Sequence, residues 1–209
     1  MTARAAARTV VLALLSCAPL PASQDAAGAP ERAHGGIVRG PAAERRIAIE
    51  FTGHEFAEGG ATILDELARR GARASFFLTG DFLRTPAFAP LIRRIVAEGH
   101  YLGPHSDKHL LYCDWVEREK TLVNFTPGTR SNADYTGEAD RNFVASQRIY
   151  DSILARERED PHGLNGYLLL LHVGAGPGRA DKMHDRLGSL LDALTARGYR
   201  FVRVDDLLR

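Results

Sequence analysis

A chain of 209 residues with 44% hydrophobic content can bury one sizeable core, and two would strain it. Its 27 basic and 26 acidic residues leave a formal net charge of +1, with no basic tract of the kind that tracks a phosphate backbone, so there is no electrostatic case for a nucleic-acid partner. Only two cysteines occur, Cys17 and Cys113, and no intramolecular disulfide survives if an N-terminal leader is removed.

The first residues have the character of export machinery. Arg4 and Arg8 precede the apolar run Thr9 to Leu15, which is too short to span a bilayer as a helix. Two outcomes fit. Cleavage after Ala22 or Ser23 in PLPAS would release a soluble periplasmic or extracellular protein, whereas LLSC at Leu14 to Cys17 has the form of a lipobox, with Cys17 as the lipid anchor. Residues 1–23 are therefore expected to be a signal peptide or lipoprotein leader. Residues 24–45, rich in Ala, Gly, Pro and charge, are expected to be a flexible linker, with the folded domain over 46–209.

Within that domain short apolar strands alternate with amphipathic helices, the pattern of a parallel α/β fold. The expected order begins with a strand at Ile47 to Phe51 and a helix from Ala61 to Arg70, with Ile63, Leu64, Leu67 and Ala68 as its apolar stripe. A strand at Ala74 to Leu78 follows, then a helix beginning near Pro86 and Pro90 with Leu91, Ile92, Ile95 and Val96 facing inward, stopped by Gly99. Tyr101 to Pro104 leads into HSDKH. Beyond it come a strand at Thr121 to Phe125, a helix from Phe143 to Arg156, a strand from Tyr167 to His172, a helix from Met183 to Arg197 and a last strand from Tyr199 to Val204. Folds of this kind place their chemistry in the loops at the carboxyl ends of the strands.

The residues that carry chemistry start with His105 and His109. If the chain turns helically after Pro104, imidazoles at i and i+4 share a face and reach one divalent ion, which then needs one further protein ligand and an open position for water. His54 and Glu55, just past the first strand, can supply an imidazole for the ion and a carboxylate for its water, although the same two residues can equally cap the next helix or pair with arginines. His172 ends a run of four leucines. The GAGPG turn after it lacks the spacing and the Lys-Ser/Thr pair of a phosphate-binding loop. Tyr112 and Trp115 could stack on a sugar, but a lone aromatic pair beside a charged helix is more often packing.

The order RIAIEF, then GGATILDELARRGARASFFLTGDF through to HSDKH, then YLLLLHV and the closing LLDALTARGYRFVRVDDLL resembles the polysaccharide deacetylase family, the NodB-homology carbohydrate esterases. The resemblance covers most of residues 45–209. It implies a parallel-strand (β/α) barrel of NodB type, distorted and one strand short. It also implies a hydrolase that removes acetyl groups from an N-acetylated glycan with a divalent metal, zinc first among the candidates. His105 and His109 would be metal ligands, with His54 completing the shell. Glu55 would be the base, His172 the general acid, and Asp134 in the Asp134-Tyr135 pair the residue that tunes His172. Arg130 in the same loop either pairs with a carboxylate or faces solvent.

Two departures stand out. Relatives end the first strand with Thr-Phe-Asp-Asp-Gly, whereas this chain has Glu50, Phe51, Thr52, Gly53 and His54. Between HSDKH and Thr121 only about a dozen residues intervene, near the minimum for one parallel crossover, and the Arg-Pro-Pro-Tyr motif that lends an oxyanion-hole amide is missing. A glycan-binding pseudoenzyme on the same scaffold is the alternative reading.

Overall fold

The computed structural model describes residues 28–33, 36–109 and 125–209. The leader, Cys17, Tyr112, Cys113, Trp115 and all but the last residue of the strand expected at Thr121 to Phe125 lie outside these segments. No helix among the described residues is long and apolar enough to cross a membrane.

A short antiparallel ribbon comes first, β1 (Glu31–Ala33) against β2 (Gly36–Arg39). Five strands then form one sheet: β3 (Arg46–Gly53), β4 (Ser75–Leu78), β5 (Tyr101–Pro104), β6 (Tyr167–His172) and β7 (Arg200–Val202). All their pairings are parallel. The long β3 is central: β6 runs along one edge from Ile47 to Thr52, while the other edge is shared by β7 beside Arg46 to Ala48 and β4 beside Glu50 to Gly53. The helices between them are α1 (Gly60–Arg69), α2 (Gly80–Arg84), α3 (Ala89–Ala97), α4 (Ser146–Glu159), α5 (His184–Thr195) and α6 (Val204–Leu207).

Side chains alternate across the pleat, and that alternation decides what each strand delivers to the site. Ile47, Ile49 and Phe51 of β3, Phe76 and Leu78 of β4 and Tyr167, Leu169 and Leu171 of β6 join Ile63, Leu64 and Leu67 of α1 and Leu187, Leu190 and Leu191 of α5 in the main core. The opposite face carries Ala48 and Leu168, which pack with Leu207, and by the same parity Glu50, Thr52 and His172. Phe77 and Tyr101 meet on that inner face at 5.7 Å between ring centres. Gly103 lies between them, where a Cβ would come within 2.7–2.8 Å of both rings.

Several expectations need correction. Within the stretch expected to be a linker, Glu31–Ala33 and Gly36–Arg39 pair as strands, and β2 has partners far along the chain. Val38 is buried and its carbonyl accepts Thr126 Oγ1 at 2.6 Å, and Arg39 pairs with Asp160 at 3.0 Å while its Nε donates to the Asn165 carbonyl at 2.8 Å. Composition cannot show such contacts. In α1 Ala68 faces solvent, and in α3 Val96 is 57% exposed, leaving Ile95 as the buried anchor. The last strand stops at Val202, since the chain turns into α6 with Asp205 and Asp206 in its first turn, where acidic side chains favour a helix start.

Candidate active site

The first histidine comes from the end of β3, whose run of buried residues carries the backbone through Gly53 to His54. Gly53 has no room for a side chain: a Cβ would lie 2.8 Å from Leu78 and 3.0 Å from Phe82. His54 Nδ1 is 3.1 Å from Thr79 Oγ1, and that hydroxyl also caps α2 by accepting Phe82 N–H at 3.1 Å. With Nδ1–H donating to that hydroxyl oxygen, Nε2 keeps the lone pair and is the His54 nitrogen for a ligand. Glu55 Oε1 lies 3.8 Å from that Nε2, with its side chain 67% exposed.

The other two histidines follow β5, though without the helical turn that their spacing predicts. Residues 105–109 form an irregular loop with Ser106 and His109 at φ of 60° and 54°, conformations that carry strain in non-glycine residues. The loop is pinned to α2, with Gly80 N donating to the Ser106 carbonyl and Asp81 N to that of Asp107, each at 3.0 Å, and Arg84 pairing with Asp107 at 2.7 Å. His105 and His109 nevertheless come together at 4.9 Å between ring centres, and His109 lies at 5.0 Å from His54.

Three imidazoles therefore cluster at the carboxyl end of the sheet, and burial suits them as ligands. Desolvation, followed by the neighbouring His109, His172 and His54, lowers the His105 pKa to about 4, and desolvation first also lowers that of His109. Both are neutral at pH 7, the form that binds metals. The arrangement is not closed, however. His54 and His109 are stacked with only 18° between their planes, so their in-plane lone pairs run side by side, and among the described residues no three His, Cys, Asp or Glu side chains converge on one point. The donor set fits a divalent ion once the rings turn.

His172 stands opposite Thr52 in the register of β6 on β3. Its Nδ1 lies 2.6 Å from Asp134 Oδ1, and its backbone N–H donates to Asp134 Oδ2 at 2.9 Å. Asp134 is only 4% exposed, and the Tyr135 ring lies 4.8 Å from that of His172. A carboxylate held in this way fixes the imidazole tautomer and leaves Nε2 for chemistry. Thr52, at the place of the first aspartate in the motif that resembles this strand end, has a buried hydroxyl with no partner among the described residues. Arg130 is exposed, at a left-handed φ of 56°.

Sequence reasoning missed three contributors. Arg179 is fully buried over the Phe143 ring, and its guanidinium donates to the carbonyls of Thr136 at 2.8 Å, Val144 at 2.9 Å and Asp181 at 2.6 Å, to Ala133 at 3.4 Å and to Ser146 Oγ at 2.9 Å. It thereby brackets the Asp134–Tyr135 pair from both sides. Glu50 is a buried carboxyl on the inner face beneath Thr52, where desolvation pushes its pKa up to about 8. Glu58 accepts the N–H groups of Ala175 and Gly176 at 2.8 Å each, so the amides of the GAGPG turn already hold a carboxylate. An arginine or glutamate in a loop gives no sequence signal of these partners, which, apart from Asp181, lie 33 to 118 residues away.

A parallel α/β sheet with histidines and a histidine–carboxylate pair at its carboxyl end defines a class of hydrolase-like scaffolds, and comparison with known proteins narrows it. Residues 40–156, more than half of the chain, match the family model described as Polysaccharide deacetylase. The chain is 27% identical over 198 residues to a peptidoglycan-N-acetylglucosamine deacetylase of Bacillus cereus, covering 81% of this chain and 91% of that protein. It is 39% identical over 211 residues to an uncharacterised 30.6 kDa protein of Geobacillus stearothermophilus, covering 84% and 75%. The chain belongs to the polysaccharide deacetylase family.

Solved structures agree on the fold. A peptidoglycan N-acetylglucosamine deacetylase superposes with a TM-score of 0.61 at 19% identity, over 82% of this chain and 91% of the other. A carbohydrate esterase family 4 pseudoenzyme from Bacillus anthracis gives 0.61 at 14%, over 85% and 70%. An acetyl xylan esterase from Clostridium thermocellum, solved with a cobalt ion, gives 0.57 at 18%, over 78% and 89%. The expected α/β architecture of the distorted deacetylase barrel is the one observed.

Proposed function

We propose that this protein hydrolyses the acetamido group of an N-acetylated glycan, with peptidoglycan-type N-acetylglucosamine as the leading substrate. The observation that carries this reading is the buried Asp134 carboxylate at 2.6 Å from His172 Nδ1, beside the His54, His105 and His109 cluster. A divalent ion, with zinc the first choice, would be held by His54, His105 and His109 and would polarise the amide carbonyl and acidify the attacking water. Glu55 is the carboxylate beside these histidines and takes a proton from that water. His172 returns a proton from Nε2 to the departing amine, while Asp134 stabilises its charged form. The products are acetate and the free amino sugar.

A second reading, a glycan-binding pseudoenzyme, is favoured by Thr52 and Gly53 where relatives have two aspartates and by imidazoles that do not yet converge. Turnover of Asp134→Asn separates the two. The hydrolase reading expects acetate release to fall by about a hundredfold to ten-thousandfold with glycan binding retained. Wild-type protein that binds N-acetylated glycan and releases no acetate with zinc or cobalt supplied fits only the pseudoenzyme.

A further inference from the structure

Four large hydrophobic side chains are exposed among the described residues: Phe56, Leu83, Val96 and Tyr135. Leu83 and Val96 lie on α2 and α3, but Phe56 and Tyr135 lie on loops at the carboxyl end of the sheet, where the candidate site is. Tyr135 flanks His172 directly. Phe56, 40% exposed, sits two residues past His54 and covers the turn that follows β6.

That ring is held in place. Gly176, at φ +70°, lies under it so closely that a Cβ would stand 2.6–2.8 Å from three ring carbons, and a Cβ on Gly174 would meet the Phe56–Ala57 backbone at 2.6 and 2.8 Å. Glu58 then fastens the two loops together: its Oε1 accepts Ala175 N–H and Gly176 N–H at 2.8 Å and Lys182 Nζ at 2.7 Å, and Lys182 Nζ also donates to the Gly176 carbonyl at 2.5 Å. An exposed ring on a loose loop would lose much of its binding energy to ordering, whereas one fixed in advance offers an apolar face at little entropic cost. The C–H face of a pyranose is the complementary surface, with hydroxyls left at its edge for solvent.

We infer that Phe56, seated on the Gly174–Gly176 turn and locked by Glu58 and Lys182, is a stacking platform for a pyranose ring of the glycan chain adjoining the sugar at His172. The identity of the occupant rests on the deacetylase reading. The test is calorimetric titration of the full chain with tetra-N-acetylchitotetraose for wild type, Phe56→Ala, Phe56→Trp and Leu83→Ala, with acetate release measured on the same samples. Phe56→Ala should weaken binding about threefold to tenfold, the range of one aromatic contact. Phe56→Trp should hold or tighten it, and Leu83→Ala should leave it unchanged. A wild type that does not bind the tetramer, or a Phe56→Ala protein that binds it as tightly as wild type, overturns the platform. Acetate release with unaltered Phe56→Ala affinity removes the platform alone, while weakened Phe56→Ala binding with no acetate from wild type removes the deacetylase reading alone.

Discussion

Replacing Glu50 with glutamine should make the protein's stability less sensitive to alkali. Glu50 is 4% exposed in the middle of β3, between Ser75 and Leu170 in register, and burial alone raises its pKa from 4.5 to about 8. The folded chain therefore keeps a proton that the unfolded chain gives up near pH 4.5. This contribution is fully present below that pH and is lost as pH rises through about 8. At 1.36 kcal/mol per pKa unit, the wild type should lose on the order of 3 kcal/mol between pH 5 and pH 8 relative to a side chain that does not titrate. Glu50→Gln is such a side chain with nearly the same shape. Urea unfolding of both proteins across that range gives the difference directly, with the titrations they share cancelling. The variant should be close to wild type at pH 5 and clearly more stable at pH 8. A stability difference that stays flat with pH would refute the view that Glu50 is a buried neutral acid.

Three further outcomes follow from the site. Changing His105 and His109 together to alanine should abolish binding of a zinc-like ion, and metal analysis finding equal content in variant and wild type would rule out that pair as ligands. His54→Ala should weaken ion affinity, whereas Glu55→Gln should keep the ion and lose turnover; full activity in Glu55→Gln would remove Glu55 as base. Arg179→Met strands buried carbonyls of the loop that carries Asp134 and should cost about 3 kcal/mol or more by denaturant unfolding, so a loss under about 1 kcal/mol would mean that the loop is held by other contacts.

The strand from Tyr167 to His172 was legible to the residue, because an unbroken apolar run suits a parallel strand covered on both faces. The order of β3, α1, β4, α3, α4, β6, α5 and β7 was legible from the same alternation of apolar runs and amphipathic stretches, whereas the β1–β2 ribbon, α2 and α6 were not. Boundaries suffered where one residue's environment outweighs periodicity: Val96 continues the apolar stripe of α3 yet meets solvent, and the chain past Val202 turns into a helix. In the site, His54, His105, His109 and His172 could be singled out by residue type, but the loop form of residues 105–109 could not, since it depends on hydrogen bonds to α2. Asp134 was reachable only through its order along the chain. Glu50 looked like one polar residue in a strand, and its chemistry comes from which face of the pleat it occupies. Arg179 and Glu58 acquire their roles from partners that only the folded chain brings near. The stretch between His109 and Phe125, where the sequence lacks the usual oxyanion motif, lies almost wholly outside the described residues.

The decisive measurement is acetate release from N-acetylated chito-oligosaccharides and peptidoglycan by the purified full chain, with zinc or cobalt supplied and then removed by chelator, beside His172→Ala. Metal-assisted deacetylation with His172 as acid should give slow release that requires the ion, stops with chelator and is lost in His172→Ala. Release that survives both chelation and His172→Ala, or none at all from wild type with the ion bound, would contradict it.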